Sequence, residues 1–381
     1  MSRATVLAHR LGLRHPVIQA PLAGGGDTPA LVAAVCEAGA LGFVGASYLT
    51  PLQIVETARA VRAKTTRPFG INLFAPLPAP ELPFEPGLAL KRLEPFHAEL
   101  ALPRPEFPTL KADAFGEQLA AALESGASVF SFTFGVLPTV ALEAIKARGM
   151  FVIGTATTVE EAVSLETAGV DAIVTQGSEA GGHRSTFAGS FEAGLVGTMA
   201  LVPQVVDAVN VPVIASGGIM DGRGIAAALA LGAHAVQMGT AFLTCHEAGI
   251  PDAYKDAILT AHEDETRLTR AFSGRPARGI VNRFMTEMEA GGTGDHILPF
   301  PLQNTLTRPL RTAAAKQARS EYLSLWAGQG LRLARRQSAS ELIARLARET
   351  METLERLSAS AASRAEPIGP GRSHDQGEGQ H

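Results

Sequence analysis

Glu166-Thr167-Ala168-Gly169-Val170, followed one residue later by Ala172-Ile173-Val174, is the stretch from which the fold can be read. An alanine-rich helix ends, a glycine supplies the left-handed residue that lets the chain turn, and a short apolar run begins. The same pattern recurs at Cys36-Glu37-Ala38-Gly39-Ala40 and at Ala230-Leu231-Gly232-Ala233. Between residues 17 and about 243 it sets out eight strands: 17–20, 41–44, 69–73, 129–132, 151–154, 172–175, 213–215 and 235–238. Each is apolar on both faces and separated from the next by a helical pattern. Such strands pair in parallel beneath helices, and eight of them imply a closed (β/α)8 barrel rather than an open sheet.

Composition agrees with a large buried core. The chain has 381 residues, 46% hydrophobic and 18% charged, which suits a barrel of about 250 residues with additions. A net charge of −4 leaves no footprint for nucleic acid. Apolar runs stop well short of the roughly 18 residues of a membrane span, and residues 1–13 lack a signal-peptide core. Two cysteines, Cys36 and Cys245, make no disulfide framework, so a reducing, cytoplasmic setting is expected. None of the six lysines ends a strand, which argues against Schiff-base chemistry. The expected organisation is a barrel over 1–245, a C-terminal, partly helical cap or subdomain over 246–357, and a disordered tail over 358–381 rich in Ser, Gly, Pro and charge. Residues 75–108, with Pro76, Pro78, Pro80, Pro83 and Pro86, read as a rigid loop over the barrel mouth and not as a regular helix.

Three clusters carry chemistry. After the sixth strand comes Gln176-Gly177-Ser178-Glu179-Ala180-Gly181-Gly182-His183-Arg184. The loss of bulk there lets backbone approach a ligand while one imidazole faces it; the plain alternative is a flexible surface loop that carries a His. After the seventh and eighth strands come Ser216-Gly217-Gly218 and Gln237-Met238-Gly239-Thr240. Glycines in these two loops of a barrel expose amides to a phosphate, whereas either loop alone would be explained by turning. After the first strand, Ala20-Pro21-Leu22-Ala23 offers a flat backbone platform, and Asn72 with Gln176 and Gln237 gives neutral amides for a heterocycle edge. His246-Glu247 and His262-Glu263 lack the second His of a helical zinc site, so no metal is expected. Arg184 reads as a loop ion pair or an anion-steering group, Asp221 with Arg223 as a helix cap, and Tyr254 as a packed side chain near the rim.

Together these residues resemble the nitronate monooxygenase family, formerly called 2-nitropropane dioxygenases, and its bacterial-type first class in particular. The resemblance covers roughly residues 10–335 and is strongest at 19–25, 177–184, 215–224, 237–240 and 325–330. It implies a TIM barrel holding FMN through Ala20, Pro21, Leu22, Ala23, Asn72, Gln176, Gly181, Gly182, Ser216, Gly217, Gly218, Gln237, Met238, Gly239 and Thr240. His183 would be the catalytic or substrate-orienting residue, offering a proton or positive charge to an anionic nitro group, or acting as a base on a neutral nitroalkane. The implied reaction is oxidation of alkyl nitronates, such as propionate 3-nitronate, by O2 to carbonyl compounds and nitrite, with a role in detoxification, in a monomer or homodimer. Thr133 stands where relatives carry a second His, Phe300 where they carry a Tyr, and Leu22 where Met is frequent, so the pocket is expected to be more apolar. Two alternatives remain open: an FMN-dependent NAD(P)H:quinone or enoyl reductase on the same barrel, and a flavin-free enzyme for a phosphorylated ligand.

Overall fold

The computed structural model of the chain describes residues 7–8, 10–81, 87–109, 114–290 and 296–364, with side chains as far as 361. Eight parallel strands form the barrel: β1 (Val17–Gln19), β2 (Phe43–Gly45), β3 (Gly70–Phe74), β4 (Val129–Thr133), β5 (Phe151–Ala156), β6 (Ala172–Gln176), β8 (Val213–Ser216) and β9 (Ala235–Met238). They run in the order β1-β9-β8-β6-β5-β4-β3-β2. The ring closes just ahead of β2: Gln19 N–H donates to the Leu41 carbonyl at 2.9 Å and Leu41 N–H to that of Val17 at 3.1 Å. Each strand lies within two residues of its expected ends. Gly39, Gly169 and Gly232 have φ of 88°, 98° and 94°, the left-handed turns expected of them.

Residues alternate between two apolar environments because a strand has a period of two. Along β6, Ala172 and Val174 join Ile18, Phe43, Val129, Ile153 and Ile214 in the barrel interior. Ile173 turns outward against Leu165 and Val205 of the covering helices. Gly70 completes the interior by absence, since a Cβ there would lie 2.2 Å from the Phe43 ring. Two residues farther along the strands, the inward positions turn polar: Asn72, Ser131, Thr155, Gln176, Ser216 and Gln237. Strand register places Asn72 beside Ser131, and Gln176 beside Ser216 and then Gln237. These side chains floor a cavity at the C-terminal end of the barrel.

A second sheet stands at that end. β10 (Thr266–Thr269) and β11 (Ala277–Ile280) pair antiparallel, and β11 also pairs with the two-residue strand β7 (Gly182–His183). The His183 segment is therefore sheet-bound and not a free loop.

Two expectations are corrected. The 75–108 insertion contains a 13-residue helix, Gly87–Glu99, with Pro95 inside it; Pro83 and Pro86 fall outside the described residues. Its apolar face, Ala89, Leu93 and Phe96, packs with Phe284, Leu298, Leu310 and Tyr322 in a core of the C-terminal region. The Phe96 ring lies 5.0 Å from Phe284 and 6.0 Å from Tyr322. Burying that face at about 1.5–3 kcal/mol per large side chain outweighs the roughly 3 kcal/mol cost of an interior proline. No described residue of the insertion lines the cavity. The second correction concerns 358–364, which continue the helix Ala339–Arg364; 365–381 lie outside the described residues. Leu342, Ile343 and Leu346 seat that helix against the barrel helices Gly222–Ala230 and Pro29–Glu37. No described helix is long and apolar enough to cross a membrane.

Candidate active site

The cavity has a volume of about 1000 Å3, at the upper end for small-molecule sites. His183 and all fifteen residues expected to hold a cofactor lie on its wall. β8 and β9 deliver the phosphate-type loops. Gly217 and Gly218 have φ of 119° and 70°, which a side-chain-bearing residue adopts only with strain. A Cβ on Gly217 would also come within 2.8 Å of Thr198 Oγ1. The amides of Gly217, Gly218 and Gly239 donate to no acceptor among the described residues. Thr240 Oγ1 accepts Gly328 N–H at 3.0 Å, which leaves its hydrogen free to donate. Gly181 and Gly328 cross so closely that a Cβ on Gly181 would lie 2.5 Å from the Gly328 nitrogen. The 325–330 segment thus braces both glycine clusters.

On the floor, Asn72 Nδ2 donates to Ser131 Oγ at 2.9 Å. Gln176 Nε2 donates to the His183 carbonyl at 3.1 Å, and its Oε1 accepts Ser185 N–H at 3.0 Å. The Gln237 amide has no partner among the described residues. Across the cavity, Asp27 holds the platform after β1. Its Oδ2 accepts Leu22 N–H at 2.8 Å and Gly45 N–H at 2.5 Å. Burial pushes this carboxyl up to about 7, and the backbone donors at Leu22 and Gly45 only partly offset it.

His183 stands over this floor among rings: Trp326 at 5.5 Å, and Phe134 and Phe300 each at 6.0 Å between centroids. Phe134 is held at φ 78°, a strained conformation that costs about 1–3 kcal/mol, with the Arg275 guanidinium 3.9 Å over its ring. His183 Nε2 lies 2.8 Å from Ser273 Oγ, and Nδ1 has no partner among the described residues. Desolvation, reinforced by Arg275 and Arg311, pushes the imidazole down to about 3. A group held that low is neutral at neutral pH.

Other expectations resolve plainly. Arg184 is buried and forms no ion pair among the described residues; it donates to the carbonyls of Gly177 (2.6 Å), Gly194 (2.8 Å) and Gln176 (3.2 Å). It stitches the glycine segment together and does not steer anions. Asp221 caps the helix Gly222–Ala230 by accepting from Arg223 N and Gly224 N, and it pairs with Arg223. Tyr254 is buried and donates to the Trp326 carbonyl at 2.7 Å. Thr133 donates to Ser185 Oγ at 2.6 Å. Sequence reasoning missed Asp27, Ser131, Thr155, Ser273, Arg308 and Arg311. The period-two inward layer was a usable signal for Ser131 and Thr155. Nothing local marked the others.

Residues 5–349 match the nitronate monooxygenase family. The chain belongs to that family. A probable nitronate monooxygenase of Bacillus subtilis strain 168 is 43% identical over 343 residues, 89% of this chain and 97% of the relative. Among solved structures, the nitroalkane oxidase of Streptomyces ansochromogenes superposes with a TM-score of 0.85 at 42% identity, covering 93% of this chain and 100% of its own. FabK from Thermotoga maritima superposes at 0.72 with 30% identity, over 93% and 98%. This family membership makes the barrel an oxidoreductase that acts on nitro compounds.

Proposed function

We propose that the cavity binds FMN and oxidises alkyl nitronates, and neutral nitroalkanes deprotonated in place, with O2 to carbonyl compounds and nitrite. The fit to FMN rests on the chain's own groups. Three unpartnered amides, at Gly217, Gly218 and Gly239, suit a phosphate. Ala20–Ala23 offers an uncharged, apolar stretch of the wall, and Asn72, Gln176 and Gln237 supply amide edges. When bound, FMN supplies the electron-accepting chemistry that these side chains lack.

The observation that carries the reading is His183 on the cavity wall, with Nε2 held by Ser273 and Nδ1 without a partner among the described residues. Nδ1 takes the proton from the carbon bearing the nitro group: the C–H bond breaks, an N–H bond forms, and the electron pair passes onto the nitro oxygens. A weakly basic imidazole is a poor acceptor by itself. The Arg275 and Arg311 charges that lower its proton affinity also favour negative charge forming on the nitro group, so the two effects offset one another. A preformed nitronate skips this step and uses the same positive field.

Arg308, Arg311 and Lys316 line the cavity with no paired carboxylate among the described residues, and Asp27 is the one acid on the described wall. That excess of cations favours a substrate with a second anionic group, as in propionate 3-nitronate. The enzyme should consume oxygen and release nitrite with propionate 3-nitronate and with nitroethane, and His183→Ala should lose most turnover of nitroethane while keeping its flavin. Wild-type turnover by that variant would overturn the role given to His183.

A further inference from the structure

We propose that Ser273, ninety residues from His183 in sequence, is the positioning residue that fixes which imidazole nitrogen carries the proton; this rests on reading His183 as the base. Ser273 is 1% exposed, and its Oγ has three neighbours: His183 Nε2 at 2.8 Å, the Arg275 carbonyl at 3.0 Å and Arg275 N–H at 3.3 Å. A hydroxyl has one hydrogen and two lone pairs. Arg275 N–H can only donate, so it takes one lone pair. The Arg275 carbonyl can only accept, and among the described residues no other donor reaches it, so it takes the hydrogen. Only a lone pair remains for His183 Nε2, which must therefore carry the hydrogen. The proton count leaves Nδ1 as the acceptor of a ring that lines the cavity.

Ser273 is not free to rearrange. Gln303 Nε2 donates to the Ala271 carbonyl at 2.8 Å and Thr307 Oγ1 to that of Phe272 at 2.5 Å, both from the helix Leu302–Lys316. Gly274 has φ 83°, and a Cβ there would lie 2.2 Å from the Leu298 carbonyl. On the far side, the Arg275 guanidinium donates to the carbonyls of Arg184 (2.9 Å) and Thr186 (2.6 Å), which ties the His183 segment to the same turn. When Nδ1 gains a proton, Nε2–H still donates to Ser273, so the contact serves both states of the ring without reorganisation.

The test compares neutral nitroethane with its preformed nitronate, using holoenzyme. Ser273→Ala should lower kcat/KM for nitroethane on the order of tenfold to a hundredfold, with a loss several-fold smaller on the nitronate, and Ser273→Thr should restore most of it. Flavin content and melting temperature confirm that the variants fold. Independently of any variant's activity, 15N-histidine NMR of the wild type should show His183 protonated at Nε2 and unprotonated at Nδ1. An Nδ1–H tautomer, an unchanged Ser273→Ala, or equal losses on both substrates would overturn the proposal. If His183→Ala turns over nitroethane normally while the tautomer is as stated, the base reading fails and the Ser273 assignment of the proton stands.

Discussion

The acidity of His183 offers a sharp test of how the site is built. An ordinary imidazole titrates near 6.5, so at pH 5 only about 3% of it remains neutral, and a step needing the neutral form slows about 30-fold between pH 8 and pH 5. Here desolvation by the ring cage, with Arg275 and Arg311 adding to it, holds the group near 3. At pH 5 about 1% is protonated, and no loss is measurable. The assay is kcat/KM for nitroethane by oxygen uptake from about pH 5 to 7, with the nitronate as a control for flavin oxidation. The profile should be flat to within twofold on the acid side. Phe300→Ala, which opens one wall of the cage, should bring the inflection upward into the measured range. A limb of unit slope beginning near 6.5 in the wild type would show that the imidazole is solvated, and the link between burial and neutrality would fail.

Asp27 predicts a pH effect of the opposite sense on stability. Its folded value, about 7, lies above the ordinary 3.8, so its contribution is fully present below about pH 4 and is lost as pH rises through 7. The gap corresponds to at most about 4 kcal/mol. His183 acts the other way, costing stability as pH falls from about 6.5 toward 3, so the difference between wild type and Asp27→Asn isolates the carboxyl. Urea titrations of flavin-free protein at several pH values should show that difference shrinking from pH 4 to 7; a constant difference would contradict it. Gly181→Ala places a Cβ 2.5 Å from backbone atoms of Ala327 and Gly328, which must part by nearly 1 Å. It should cost about 1–3 kcal/mol and weaken flavin retention, and an unaltered melting curve with full flavin would refute the close crossing.

Much of this arrangement was legible in the chain because its causes are local. Val213-Ile214-Ala215 is apolar on both faces, and Gly169 and Gly232 mark where helices stop, so strand positions follow from period and turn chemistry alone. The Gly217–Gly218 pair after β8 was readable for the same reason: a backbone conformation closed to other residues leaves a residue-level trace. The helix Gly87–Glu99 was not legible, because Pro95 and the prolines before it read as breakers while the partners that stabilise it, Phe284 and Tyr322, lie two hundred residues away. Ser273 and Asp27 were invisible for a related reason. A serine in a turn and an aspartate after three glycines look like solvent-facing loop residues, and only the fold brings one to His183 and the other beneath Leu22 and Gly45. The protonation state of His183 was also out of reach, since charge follows burial and neighbours and not residue type.

The most direct test is anaerobic mixing of the purified protein with reductant, followed at 450 nm. The expected result is yellow protein that releases FMN on denaturation and bleaches on addition of propionate 3-nitronate, but not on addition of NADH or NADPH. Colourless protein that neither carries nor takes up flavin, or flavin bleached by a nicotinamide and untouched by the nitronate, would contradict an FMN-dependent nitronate oxidation built on the Gly217–Gly218 and Gly239–Thr240 loops.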